Sequence, residues 1–146
     1  MTAVTDNVLG LLGLARRSGK LAIGEEPVAE LCRASRAKAV FLARDAGAST
    51  ARRAQRLAEL GKVSLVNLPY TKQELGWSLG RESCALLAPA DLGLTAAVVR
   101  GLSGTDESLL DLARRLEEKA GRRGHGKRTV KSGRAAKKPA DVEAES

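Results

Sequence analysis

The chain has 146 residues, 43% of them hydrophobic and 2% aromatic, and a formal charge of +8. That length and apolar content suit one packed domain rather than a wholly disordered polymer, and Ala, Leu and Val must fill its core because Phe41, Tyr70 and Trp77 are the only large aromatics. The same scarcity excludes recognition by rows of stacked aromatic side chains, while the basic balance favours a polyanionic partner, nucleic acid above all.

Thr5 or Asp6 caps a first helix, in which Val8, Leu11, Leu12 and Ala15 recur at helical spacing. Arg16 and Arg17 suit its C-terminal dipole, and Gly19 ends it. Leu21-Ala22-Ile23 is a short strand. Gly24 opens a second helix with Glu25 and Glu26 in the first turn, where Pro27 is tolerated; Val28, Leu31 and Cys32 form its buried stripe. Residues 37–43 read as a central strand, followed by the loop Arg44-Asp45-Ala46-Gly47. Ser49 or Thr50 caps a third helix ending at Gly61, with Ala54, Leu57 and Ala58 inward and Arg52, Arg53 and Arg56 together on the outer face.

Residues 63–67 form the next strand. Thr71 and Glu74 make a capping box for a fourth helix, which turns Leu75 and Leu79 inward and stops at Gly80. Residues 84–88 are the last strand, and Asp91 caps a helix over 92–100. After a break at 103–105, an amphipathic helix over 106–120 presents Leu109, Leu112, Ala113 and Leu116 on one side and is expected to pack on the body. This alternation predicts an α/β fold, with a mostly parallel or mixed sheet of about four strands covered by helices on both faces.

The charge is uneven. Residues 121–138 carry eight Lys/Arg and no acid, residues 139–146 carry three acids, and the first 120 residues are left at +3. From Gly121 onward almost nothing is apolar, so that basic tail is expected to be disordered. Cys32 and Cys84 fall inside apolar patterns and read as buried small hydrophobes. With no CxxC and one histidine, no metal and no other cofactor is expected. No signal peptide and no run of about 18 apolar residues is visible, so a cytoplasmic protein with no membrane contact is expected, and a monomer.

Gly13-Leu14-Ala15-Arg16-Arg17-Ser18-Gly19-Lys20-Leu21 looks like a phosphate-binding P-loop at first sight. It is not one: five residues separate the glycines, Leu21 stands where a magnesium-binding hydroxyl belongs, and a helix precedes it. No nucleophile–base pair is evident, and Glu25, Glu26 and Glu30 read as helix-dipole complements on a solvated face, so no enzyme activity is expected. What remains is a surface argument. The turns at Gly24, at Arg44-Asp45 and at Gly80-Arg81-Glu82-Ser83 lie at one end of such a sheet, with Lys20 nearby. Backbone donors and a few long cations suit a phosphate backbone and a distorted RNA helix better than a base code.

The run Leu12 to Leu21, the Gly24-Glu25-Glu26 helix start, the strand 37–43 with Arg44-Asp45, and Lys72-x-Glu74-Leu75-Gly76-x-x-x-Gly80-Arg81 resemble the L7Ae/L30e superfamily of RNA-binding ribosomal proteins. The likeness is to its small bacterial YlxQ-type branch and covers about residues 7–100. The resemblance implies a three-layer α-β-α sandwich, here the domain of residues 1–102; the additional helix at 103–120 and the basic tail at 121–146 lie beyond it and are read from the residues themselves. It also implies binding to structured, kink-turn-like RNA, possible ribosome or rRNA association, and an RNA-binding set of Lys20, Gly24, Glu25, Glu26, Arg44, Asp45, Lys72, Gly80 and Arg81. Where kink-turn binders place Asn, Glu and Lys after the glycine, this chain has Glu26, Pro27 and Glu30. Two other readings compete. One is a protein–protein module of a ribonucleoprotein, with Glu25, Glu26 and Glu30 facing a basic partner and the 106–120 helix docking in a groove. The other is an accessory subunit of an RNA-modifying enzyme.

Overall fold

A computed structural model describes the backbone of residues 3–129 and the side chains of residues 7–121. The elements run in order: α1 (Ala3–Arg17), β1 (Leu21–Ile23), α2 (Glu25–Arg33), β2 (Val40–Leu42), α3 (Ala48–Gly61), β3 (Leu65–Asn67), α4 (Lys72–Ser78), β4 (Leu86–Pro89), α5 (Leu92–Ser103), a 3-10 turn (Glu107–Leu109) and α6 (Leu110–Thr129). The sheet order is β1-β4-β2-β3. β2 and β3 are parallel, and β4 runs antiparallel to both β1 and β2. The expected mixed four-stranded sandwich is what forms.

Strand alternation sorts the two cores. Phe41 and Leu87 point to the face covered by α1, α4, α5 and α6, where they join Val8, Leu12, Leu75, Val99 and Leu116. Val40, Leu42, Leu86 and Ala88 point to the other face, against Val28 and Cys32 of α2 and Ala54 and Ala58 of α3. The central strands are thus buried on both sides, which explains their nearly unbroken apolar runs.

Local signals survive where a side chain makes the bond. Thr71 accepts from the Glu74 N–H and Glu74 from the Thr71 N–H, completing the capping box. Asp91 accepts from the Leu94 N–H at 2.8 Å. The third helix differs from expectation: it starts one turn earlier, capped by Gly47 rather than Ser49 or Thr50. The Gly47 carbonyl already accepts the Ala51 N–H at 2.9 Å, so both hydroxyl residues become first-turn residues. The strands are shorter than their apolar runs because the flanks keep only single bonds, such as Lys38 N–H to Pro89 O and Ala43 N–H to Ala85 O, each 2.9 Å.

The extra helix packs on the body as expected. Ala113 and Leu116 are buried and Leu109 and Leu112 partly so, against α5. Arg100 donates two hydrogen bonds to the Glu117 carboxylate, at 2.8 and 2.7 Å. That pairing lowers the Glu117 pKa and raises that of Arg100. α6 does not stop at Ala120 but runs to Thr129. The rest of the tail, residues 130–146, lies outside the described residues.

Candidate nucleic-acid interface

Strand polarity decides which turns meet. β1, β2 and β3 point the same way and β4 points back, so three strand C-termini and one strand N-terminus share a single rim. Backbone hydrogen bonds tie that rim together. The Gly24 N–H donates to Leu86 O at 2.9 Å, Arg44 N–H to Tyr70 O at 2.9 Å, and Cys84 N–H to Lys72 O at 3.0 Å. The Lys72 N–H donates to Asp45 Oδ1 at 2.8 Å. The turn after β1, the loop after β2 and the entry to β4 are therefore one continuous edge, as the sequence suggests. Arg44, Asp45, Gly80, Arg81, Glu82 and Ser83 are all exposed along it.

Two helices open onto this rim without a side-chain cap. Gly24 caps α2 at φ 97°, a left-handed-side conformation that glycine takes without strain, and Gly47 caps α3. Neither has a side chain to satisfy the first-turn N–H groups, which therefore stay open to an outside acceptor. α4 opens beside them but is closed by its capping box.

Several side chains have partners that the sequence reading did not foresee. Glu25 forms an ion pair with Arg53 of α3, joining the two open helix starts. Glu26 pairs with Arg33 at 3.8 Å along its own helix. Two of the three acids near the start of α2 therefore have cationic partners within the fold, which weakens both their repulsion of phosphate and the idea that they face a basic partner. Arg52, Arg53 and Arg56 are all exposed, as expected, and Arg53 in addition reaches back to Glu25 of α2. Asp45 holds the start of α4 in place, so its role in the structure is positioning. Gly76 sits under the third turn: a Cβ there would lie 2.7 Å from Ser83 Cα and 2.8 Å from Arg81 O, so only glycine lets that loop close.

Lys20 does not belong to the rim. The three residues of β1 separate it from Gly24, a run of about 13 Å at the usual strand rise. It lies at the far end of the sheet, where its carbonyl accepts the Ala90 N–H at 2.9 Å and its Nζ is 3.5 Å from Asp91. Arg16 comes closer to the proposed edge: its guanidinium carbon would be 3.6 Å from a Cβ at Gly80. Nothing local in the sequence pairs Arg16 with Gly80; only the packing of α1 on α4 does.

The extra helix leaves these turns open. The 3-10 turn and the end of α5 flank a cleft beside Asn67, Leu68 and Pro69. From there α6 runs to the far end, where Leu116 and Lys119 line a cleft of about 350 Å³ with Ser35, Lys38, Gly61 and Val63. Among the described residues, no group of three or more His, Cys, Asp or Glu could hold a metal, and no helix is long and apolar enough to cross a membrane. Burial raises the pKa of Cys32 and of Cys84, the latter against the opposing pull of a bond to the Leu86 carbonyl and the nearby Arg81 charge.

The sequence profile of the ribosomal protein L7Ae/L30e/S12e/Gadd45 family matches residues 6–92. The chain is 36% identical over 93 residues to "RNA-binding protein YlxQ" of Bacillus subtilis (strain 168), covering 61% of this chain and 88% of that protein. It is similar to a solved protein of unknown function from Bacillus halodurans, with a TM-score of 0.60 and 25% identity over 66% of this chain and 96% of the other. It shares its fold with a 15.5 kD RNA-binding protein of Giardia lamblia, at a TM-score of 0.56 and 17% identity over 75% of this chain and 92% of that one. With its sheet, its helix layers and more than half of its length matched, the chain belongs to the ribosomal protein L7Ae/L30e/S12e/Gadd45 family.

Proposed function

We propose that this protein is a non-catalytic RNA-binding protein that grips structured, kink-turn-like RNA with the glycine-marked rim. The observation that carries this reading is the grouping of two helix N-termini without side-chain caps beside exposed Arg44 and Arg81. Amide donors, helix dipoles and exposed guanidinium groups together suit phosphate oxygens. The name of the Bacillus subtilis relative points the same way. With Glu26, Pro27 and Glu30 along the start of α2, recognition rests on shape and phosphate contacts more than on side-chain donors to bases. The protein acts as a cytoplasmic monomer in contact with ribosomal RNA or the ribosome, and the basic C-terminal segment adds non-specific affinity.

The test is a salt series of RNA titrations, with a hairpin carrying a kink-turn and a paired hairpin of equal length. The kink-turn RNA binds more tightly, and Arg44→Ala with Arg81→Ala weakens binding about tenfold. The same double change lowers the log–log salt slope by about 0.7–0.9 for each phosphate that is no longer neutralised. Unchanged affinity and slope in the double variant would exclude the rim.

A further inference from the structure

Trp77 is the only tryptophan of the chain. It is also the most exposed large hydrophobic side chain among the described residues, at 72%, ahead of Leu60 at 51% and Leu14 at 44%. Its neighbours on α4, Leu75 and Leu79, are fully buried, so the helix turns the indole away from the core. Lone exposed leucines are ordinary, but a bare indole leaves a large flat apolar face in water.

Its setting points to what covers it. Trp77 stands five residues beyond Lys72, about 7.5 Å of helix rise from the bond that ties α4 to Asp45. The Gly80 N–H lies 3.4 Å from the Trp77 carbonyl, so the main chain passes directly from Trp77 into the exposed turn at Gly80 and Arg81. The last turn of α1 lies against the same end of α4. A Cβ at Gly13 would be 3.3 Å from Arg17 Nη1 and 3.5 Å from Ser78 O, and one at Gly80 would be 3.6 Å from the Arg16 guanidinium. Arg16, Arg17 and Arg81 are exposed, and none forms an ion pair among the described residues. Glu82 is the acid in this turn, and Glu74 is occupied by the capping box.

We propose that Trp77 is a stacking platform for an unpaired nucleobase of the RNA held at the rim, with Arg16, Arg17 and Arg81 meeting the phosphates on either side. A flat π-face among cations fits a flat base on a polyanionic chain. An apolar pocket on a protein partner would cover the indole but leave three guanidinium groups to be matched. The inference rests on the RNA reading above and adds a base contact to a rim otherwise argued from phosphates.

A single tryptophan makes the test direct, because all indole emission of the full chain reports this side chain. The chain is titrated with an RNA hairpin bearing an internal loop of unpaired nucleotides and with a fully paired hairpin of equal length. Binding is tracked separately by electrophoretic shift. The looped RNA quenches the emission, Trp77→Ala weakens its binding by roughly ten- to a hundredfold, and Trp77→Phe restores most of the loss. The paired RNA binds both forms alike. Looped RNA that shifts the protein with unchanged emission, and binds Trp77→Ala as well as the parent, overturns the stacking role and leaves the RNA reading standing. If neither RNA shifts the protein, both readings fall. Because the side chain is exposed, Trp77→Ala keeps the parent's melting temperature, and a melt run beside the titration checks this.

Discussion

The two ends of the sheet are built from the same strands and differ in how their helices finish. At the rim, α2 and α3 begin on Gly24 and Gly47 with no side-chain cap. At the far end both helices close on left-handed residues, Ser35 and Lys62, each at φ 58°. There α5 begins under the Asp91 carboxylate, which also pairs with Lys20. Both ends carry exposed cations, so net charge does not tell them apart. The open N–H groups do. Phosphate meets the open donors of α2 and α3 at the rim and, at the other end, the C-termini of those same two helices, the negative ends of their dipoles.

The largest break in this contrast comes from Gly76→Ala. Its new methyl would collide with backbone at Arg81 and Ser83, which cannot give way as a flexible side chain would. We expect a loss of about 1–3 kcal/mol in stability, read by thermal melting, and a loss of RNA affinity as the third turn is displaced. Cationic residues at opposite ends come next: Arg44→Ala costs several-fold in RNA affinity while Lys20→Ala stays within about twofold. Equal losses would mean that charge, not helix polarity, selects the face.

Asp45→Ala removes the acceptor for the Lys72 N–H and costs about 1 kcal/mol, whereas Asp45→Asn, which keeps an oxygen there, costs less; denaturant melts separate the two. At the far end Lys62→Gly relieves a left-handed backbone and is expected to raise stability by at most about 1 kcal/mol, with RNA binding unchanged. The smallest effect is the pH response of α6 docking. Because the Glu117 pKa is lowered in the folded state from its usual 4.5, its pairing with Arg100 is fully present above that value and is lost as the pH falls through the lower folded value. Glu117→Gln should remove that acid dependence from the melting temperature.

Much of the architecture was legible because its causes are local. The Thr71–Glu74 box, the Asp91 cap, the Gly24 helix start and the three residues of β1 each depend on neighbours a few positions apart. The displacement of Lys20 was legible too, since a strand lies between it and Gly24 and carries the two to opposite ends of the sheet, but proximity in sequence hid the point. The ion pair of Glu25 with Arg53 was not legible, because it spans 28 positions and exists only where α2 packs on α3. The same holds for Arg16 over Gly80, and for the path of α6 to the far end.

Residue order alone thus determined the type and order of the helices and strands, since caps, glycines and apolar periodicity act over a turn or two, and it placed the starts of α2, α4 and α5. It also determined that α2 opens on Gly24 directly after β1, and so at a strand end, whereas the open start of α3 on Gly47 emerged only in the structure. Only the packed molecule decided which cations share the rim, which acids are neutralised and where the indole of Trp77 stands. Those depend on the crossing of helices and on the direction of β4, which bring together side chains that the chain itself holds far apart.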